Sequence, residues 1–327
     1  MDKCILVIGG AGYIGSHTNK LLTDNDYRTL VYDNLVYGHR EFVKWGDFIL
    51  GDTSDIDQLG LTFKQYNIHA VVYFSAFAYV GESVKNPSKY YTNNVANTIN
   101  VLNTMVKHDV KYFVFSSSCA VFGEPTYLPI DEAHPKKPVN PYGKTKLIVE
   151  EILKDYDKAY GIKHINLRYF NAAGADHNAR IGEDHNPETH IIPLLLDTAM
   201  GKRDTFTIFG DDYKSKDGTC VRDYIHVEDL AAAHLKALAW LMKNNISESF
   251  NLGYDTGFSV KELIAAAEHI INVKIPYVMG RKREGDPAAL VSSSEKAKEI
   301  LGWKCEHSSL DNIITSAWEW HKKRFKK

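Results

Sequence analysis

The string VIGGAGYIGSH, residues 7–17, constrains this chain more than any other part of it. It follows an apolar run, Lys3–Ile8 (KCILVI), and leads straight into a helix-length segment, Tyr13–Leu22. Gly9, Gly12 and Gly15 stand in a G-x-x-G-x-x-G pattern. A strand that turns on glycines into a helix start is the opening unit of a doubly wound sheet. Glycines let the backbone approach a pyrophosphate, and the N–H groups and dipole of the helix N-terminus favour its negative charge. Gly9, Gly12, Tyr13, Ile14 and Gly15 are therefore candidate dinucleotide contacts.

The rest of the first half agrees with that opening. Arg28–Tyr32, Phe48–Leu50, Ala70–Ser75, Tyr112–Ser116 and Ile165–Tyr169 read as strands, several nearly all apolar, as in a parallel sheet covered on both faces. Between them lie helix-length segments, Asp55–Gln65 and a long one from about Ser88 to Lys107. Alternation of this kind predicts an α/β fold, a doubly wound parallel sheet of Rossmann type with right-handed crossovers. After Asn171 the rhythm breaks into a polar, irregular stretch, NAAGADHNARIGEDHNPETH, and helices follow at Val227–Lys243, Ser259–Ile271, Ser294–Leu301 and Ser309–Phe325. Ser259 and Glu262 form a capping-box signature. The expected organisation is a dinucleotide-binding domain over 1–172, to which a strand near 249–254 returns, and a smaller mixed α/β substrate domain over 173–327.

At 327 residues, one large or two intimate domains are expected. A net charge of -2 gives no reason to expect nucleic acid or an acidic membrane surface as partner. The basic end, HKKRFKK, reads as a helix turn complementing its own dipole. Cys4, Cys119, Cys220 and Cys305 are widely spaced, which fits a reducing compartment and argues against a disulfide framework and a zinc site; no metal is expected. The N-terminus shows no signal-peptide pattern and no segment is apolar enough to span a membrane, so a cytoplasmic location is expected.

The second strand ends at Asp33, where a carboxylate accepts hydrogen bonds from adenosine ribose hydroxyls. A 2′-phosphate there would be repelled, and the next residues, Asn34 and Leu35, offer no arginine, which favours NAD over NADP. Asp52 either reaches the adenine or caps the following helix. Further along, NPYGKTK (140–146) sets Tyr142 and Lys146 on one face of a helix that begins with Asn140 as N-cap and Pro141 in the first turn. The fifth strand ends in FSSSCAVFG (115–123). In a doubly wound sheet its C-terminal end and the start of the next helix face the same crevice, so Ser118, Tyr142 and Lys146 can converge there.

The glycine loop, a serine before the helix and Tyr-x-x-x-Lys on it resemble the extended short-chain dehydrogenase/reductase superfamily. Longer strings narrow the likeness: VGESV (80–84), YYTNN (90–94), LRYFNAAGA (167–175), DGTCVRDYIHVEDLA and REGDPA (283–288). Together these are similar to the UDP-glucose 4-epimerase family, from residue 3 to about residue 320. That resemblance implies a tightly bound NAD, a UDP-sugar substrate and reversible oxidation at sugar C4. Tyr142 is then the base, Ser118 the relay to the same oxygen, and Lys146 the residue that lowers the tyrosine pKa and holds the nicotinamide ribose. Acting near pH 7 would require the phenol to fall by roughly 3 units from its usual 10. A 4-keto sugar that turns over within the cavity would take hydride back on its other face.

The resemblance also implies cofactor roles for Phe74, Ser116 and Tyr169. On the substrate side it implies Asn93 near the sugar, Asn171 at the diphosphate, Phe209 against uracil and Asp286 on the uridine ribose. Arg222 and Arg283 are candidates for the diphosphate because guanidinium matches phosphate bidentately. Leu290 stands where relatives carry either a bulky tyrosine or a small residue, which leaves UDP-N-acetyl-hexosamines open as substrates. Ala78 replaces a cofactor-contacting lysine of some members, and Ala120 and Phe122 replace hydroxyl-bearing residues. A dehydratase of the same superfamily would carry Asp-Glu beside the catalytic Ser or Thr, whereas Cys119 and Ala120 follow Ser118 here. The family is commonly a homodimer paired through the long helices on either side of the fifth strand.

Overall fold

The computed structural model describes residues 3–283 and 286–325. Its first half alternates strand and helix: β1 (Cys4–Ile8), α1 (Tyr13–Asp24), β2 (Arg28–Asp33), β3 (Asp47–Leu50), α2 (Ile56–Gln65), β4 (Ile68–Tyr73), α3 (Val80–Lys85), α4 (Pro87–Tyr90), α5 (Asn97–Lys107), β5 (Tyr112–Ser118), α6 (Pro141–Tyr160) and β6 (Lys163–Tyr169). The second half runs β7 (Asn171–Ala173), α7 (Ile191–Ala199), β8 (Phe206–Phe209), β9 (Val221–His226), α8 (Val227–Asn244), β10 (Glu248–Leu252), β11 (Gly257–Ser259), α9 (Val260–Ile271), β12 (Tyr277–Gly280), β13 (Ala289–Leu290), α10 (Glu295–Leu301) and α11 (Leu310–Phe325).

Seven strands pair in parallel in the order β10-β6-β5-β4-β1-β2-β3. Every side chain of β1 is buried, as the unbroken apolar run CILVI requires when both faces of a sheet are covered. One face packs Ile5, Val7, Val31 and Val72 against Leu22 of α1 and Leu230, Ala237 and Leu241 of α8. The other packs Leu6, Ile8, Val71 and Phe113 against Leu59 of α2, Leu102 of α5 and Leu153 of α6. The strand order reverses between β1 and β4, so a crevice opens beyond their C-terminal ends. Ile8 and Phe74 meet there, with the Phe74 N–H donating to Ile8 O at 2.8 Å.

Chain order and spatial order part company in the second half. β10 forms the edge of the main sheet beside β6, and α8 and Trp303 are buried in the same layer. The remaining elements build a smaller body: β9 pairs with β7, β11 and β13, β8 pairs with β12, and α7, α9 and α11 pack over a core of Leu195, Ile208, Leu263 and Ile313. The capping box at Ser259 and Glu262 is present, each side chain bonded to the other residue's backbone N–H.

The segment read as one helix over 88–107 is broken. It runs as α4, a π-helical turn over residues 91–96, and α5. A π-turn inserts an extra residue and re-aims side chains locally. Here it buries Asn94 to 3% exposure while Asn93 reaches the crevice. β4 also ends two residues earlier than expected, at Tyr73, which frees residues 74–79 to form a loop. α11 does end in a basic turn of Lys322, Lys323 and Arg324; the last two residues of the basic string lie outside the described residues.

One polar contact inside the sheet layer stands apart. Arg168 of β6 makes a bidentate pair with Glu150 of α6, Nε to Oε1 at 2.8 Å and Nη2 to Oε2 at 2.7 Å. Ser117 of β5 donates to the same Oε1 at 2.7 Å. Both ionic side chains are almost fully buried, 2% and 0% exposed. This triad clamps the helix that carries Tyr142 and Lys146 onto the two strands beneath it.

Candidate active site

The crevice is a cavity of about 480 Å³ at the reversal of strand order. Along its floor lie Gly9, Gly12, Tyr13, Ile14 and Gly15. Gly9 has φ +78, and a Cβ there would fall 2.7 Å from Ser75 N. A Cβ on Gly15 would meet Gly9 O at 2.3 Å. The loop is thus folded as tightly as glycine alone permits. Gly12 caps α1 without a side-chain partner for the first-turn N–H groups, which leaves them available to an anion. A dinucleotide pyrophosphate fits this cradle.

Asp33 lies at the end of β2 in the cavity wall, its carboxylate accepting from the backbone N–H of Ala11 (3.0 Å) and Leu35 (2.8 Å). Burial raises its pKa, with those two N–H bonds opposing. Each oxygen keeps a second lone pair for a ribose hydroxyl. Asn34 also lines the cavity, while its amide donates to Asp52 at 2.7 Å. Asp52 itself is not a lining residue: it accepts from Ser54 N and Oγ in a local turn, and Gly51 and Thr53 face the cavity in its place. Phe74, Ser116 and Tyr169 line the cavity, with the Ser116 and Tyr169 hydroxyls hydrogen-bonded to one another.

Ser118, Tyr142 and Lys146 converge on the same wall. The Asn140 side chain caps α6 by accepting from Gly143 N at 2.8 Å, with Pro141 in the first turn, so Tyr142 projects from the helix start. Lys146 Nζ donates to Ser116 O at 2.7 Å and lies 5.8 Å from the centre of the Tyr142 ring. The electrostatics differ from the expectation that Lys146 depresses the phenol. Burial pushes Tyr142 up to about 12, with Ser118 opposing the rise. Burial also pulls Lys146 down to about 7, against the attraction of Glu150. Burial sets the direction of both shifts.

A test follows for the protein freed of dinucleotide. Between about pH 7 and its ordinary 10.5, Lys146 is neutral when folded and charged when unfolded. The unfolded state then binds more protons, so this residue's contribution to stability rises with pH across that window. Wild type will gain stability relative to Lys146→Met between pH 7 and 9.5 in urea titrations. A gap between the two proteins that does not change with pH would show that Lys146 is not held near 7.

Among the substrate-side candidates, Asn93, Asn171, Asp286 and Leu290 line the cavity with Ser118 and Tyr142. Asn171 spends one amide hydrogen on Asp223 O at 2.7 Å. Phe209, Arg222 and Arg283 are not lining residues. Arg222 is ion-paired to Asp286, and the Arg283 guanidinium sits 4.0 Å over the Phe209 ring. Both arginines adjoin Asp286, Arg222 through the ion pair and Arg283 through its carbonyl, which accepts from Asp286 N at 3.4 Å. Glu284 and Gly285 of the REGD string lie outside the described residues.

The sequence reading missed two features of this wall. Asn94 accepts from Phe77 N (2.9 Å) and donates to Phe77 O (3.0 Å) and Thr145 Oγ1 (3.1 Å). Thr145 in turn donates to Tyr142 O at 2.7 Å, so the 74–79 loop is braced against the start of α6. No periodic signal marks such a residue, because a π-turn aims it inward. The second feature is a cluster of Glu183, His185, Glu188 and His190, of which Glu183, His185 and His190 face the cavity. Burial disfavours charge on both rings, yet the two glutamates outweigh it and raise His185 to about 9 and His190 to about 10. Its signal was legible as the repeated E-x-H within EDHNPETH.

A glycine cradle, a buried carboxylate at the end of β2 and a Ser–Tyr–Lys wall on a doubly wound sheet define a dinucleotide-dependent enzyme of the short-chain dehydrogenase/reductase class. Residues 5–253 match the NAD dependent epimerase/dehydratase family. A UDP-glucose 4-epimerase of Halalkalibacterium halodurans is 50% identical over 318 residues, covering 97% of this chain and 95% of that protein. The crystal structure of the Brucella ovis UDP-glucose 4-epimerase in complex with NAD superposes with a TM-score of 0.95 at 46% identity, covering 97% and 98% of the two chains. The Bifidobacterium longum enzyme, solved in complex with NAD+ and UDP, superposes with a TM-score of 0.92 at 36% identity, covering 98% of each. The chain belongs to the NAD-dependent UDP-glucose 4-epimerases, isomerases of that family.

Proposed function

We propose that this chain interconverts UDP-galactose and UDP-glucose with Tyr142 as the group that moves the proton at the sugar 4-hydroxyl. The observation that carries this reading is the placing of Tyr142 and Ser118 in one cavity wall that is continuous with the glycine cradle. The bound dinucleotide supplies a hydride acceptor, a hydride source and, when oxidised, a positive charge beside the phenol.

The chain's own residues do the rest. Burial keeps the phenol protonated in their surroundings alone, so its release as a base depends on positive charge brought to the wall. Lys146 donates to the Ser116 carbonyl and lies 5.8 Å from the Tyr142 ring centre, which supports its amino group as the partner of a ribose hydroxyl. Ser118 Oγ accepts from Ala120 N at 3.2 Å, which leaves its proton free to point at the substrate oxygen. Asn93 and Asn171 flank the sugar, and Asp286 with Arg222 and Arg283 behind it receives the uridine diphosphate end. Leu290 brings less bulk to the wall than a tyrosine would, which supports UDP-N-acetyl-hexosamines as further substrates.

We also read the chain as a cytoplasmic homodimer. Four free thiols support a reducing compartment. No helix among the described residues is long and apolar enough to cross a membrane. Exposed Ile148 and Tyr160 on α6 support pairing through that helix and α5. Supplying UDP-galactose with no added NAD tests the activity: UDP-glucose will accumulate to equilibrium. A requirement for stoichiometric NADH or NADPH, or a dehydrated keto-sugar as product, would overturn the reading.

A further inference from the structure

We propose that Glu183, His185, Glu188 and His190 form a binding site for one divalent transition-metal cation. All four come from a single turn of chain before α7, in the pattern E-x-H-x-x-E-x-H. Glu183 Oε1 lies 2.8 Å from His190 Nδ1 and 3.2 Å from His185 Nδ1. Glu188 faces the same two rings with both its oxygens, Oε1 at 2.9 Å from His190 Nδ1 and Oε2 at 3.8 Å from His185 Nδ1, with Oε1 also accepting from the backbone N–H groups of Thr189 and His190 at 2.7 Å. One ligand atom from each residue thus lies within 4.8 Å of the other three. A tetrahedral centre with bonds of about 2.1 Å separates its ligands by roughly 3.4 Å, inside the range seen here.

A second observation points the same way. Nδ1 of His185 is fully enclosed and faces both carboxylates, yet makes no hydrogen bond. At 3.2 Å from Glu183 Oε1 that nitrogen points into the cluster without closing a hydrogen bond there, and a cation in the middle would complete its coordination. The two carboxylates are 7% and 14% exposed, so the site calls for about two positive charges, which the two protonated rings supply when no metal is bound. One divalent cation supplies both while the imidazoles act as neutral ligands. Two nitrogens and two carboxylate oxygens suit zinc, cobalt or nickel, whereas calcium and magnesium prefer oxygen alone. The other histidine–carboxylate cluster, Asp176, His177 and Glu228, has its charge already met, because Lys20 and Arg180 reach Asp176 at 3.0 and 2.8 Å. The proposed site sits in the cavity wall, with the His185 ring 6.2 Å from that of Tyr13, so a bound cation would pin the 183–190 segment beside the glycine cradle.

The rival is a metal-free set of histidine–glutamate ion pairs, and zinc binding separates the two. Tag-free full-length protein, stripped with a chelator and equilibrated with zinc chloride, should hold one zinc per chain by elemental analysis. Cobalt in its place should give the intense visible bands of four-coordinate geometry. His190 is half-exposed, so His190→Asn should fold, with an unchanged circular dichroism spectrum. It and His185→Asn should each weaken zinc binding by at least about tenfold, since even loss of a ligand's supporting partner costs that much. The proposal fails if the wild type takes up no zinc at micromolar free metal, or if the His185→Asn, His190→Asn double variant holds it equally well.

Discussion

Tyr142→Phe will lower epimerisation of UDP-galactose by at least about 10²-fold, the usual worth of a positioned acid–base group. The change removes one oxygen from a wall whose other atoms are held independently. Asn140 caps α6 on Gly143, and Lys146 is anchored on Ser116 O. The fold and the retained NAD should therefore match wild type by circular dichroism and by absorbance of the denatured extract. The loss should fall on kcat more than on KM, because the missing proton acceptor matters most in the transition state. A Phe variant within tenfold of wild type would mean that the sugar 4-hydroxyl proton leaves by another route, and Ser118 would be the residue to examine.

Glu150→Gln will destabilise the protein by about 3–5 kcal/mol, the cost of leaving a buried charge without its partner. Arg168 has 2% of its side chain exposed, so water cannot replace the lost carboxylate. Ser117 loses the same acceptor strength. Urea midpoints of the NAD-bound protein measure the effect. Replacing the pair together, Glu150→Leu with Arg168→Met, should cost distinctly less than the single change, because no charge is then stranded. If the double replacement were as damaging as Glu150→Gln, packing of α6 and not charge would be the source of the loss.

Much of this arrangement can be read in the linear chain, and the reasons are local. The glycine loop announces itself because only glycine fits a turn in which any added carbon would strike Ser75 N or Gly9 O. Tyr142 and Lys146 share a helix face by spacing alone, and Asn-Pro marks where that helix starts. What stayed hidden depends on burial or on contacts between distant segments. The shift of Lys146 to about 7 comes from the depth of the wall, which no spacing encodes. Asn94 is aimed inward by an irregular turn inside a stretch that reads as plain helix. Arg222 and Arg283 have the right chemistry for a phosphate, but Asp286 and Phe209 hold them back from the cavity lining.

The parallel pairing of β10 with β6 has a bearing on synthesis and on fragments. The strand that carries Tyr169 emerges from the ribosome long before the one that covers its open flank. Until Glu248–Leu252 arrives, its row of unpaired N–H and C=O groups is a template for any extended stranger. A chain truncated before that point would be born with a sticky border; in the finished fold β10 closes it, and its own outer edge is covered in turn by Glu132, which accepts from Asn251 N at 2.7 Å, and Lys296, which donates to Ser249 O at 3.1 Å.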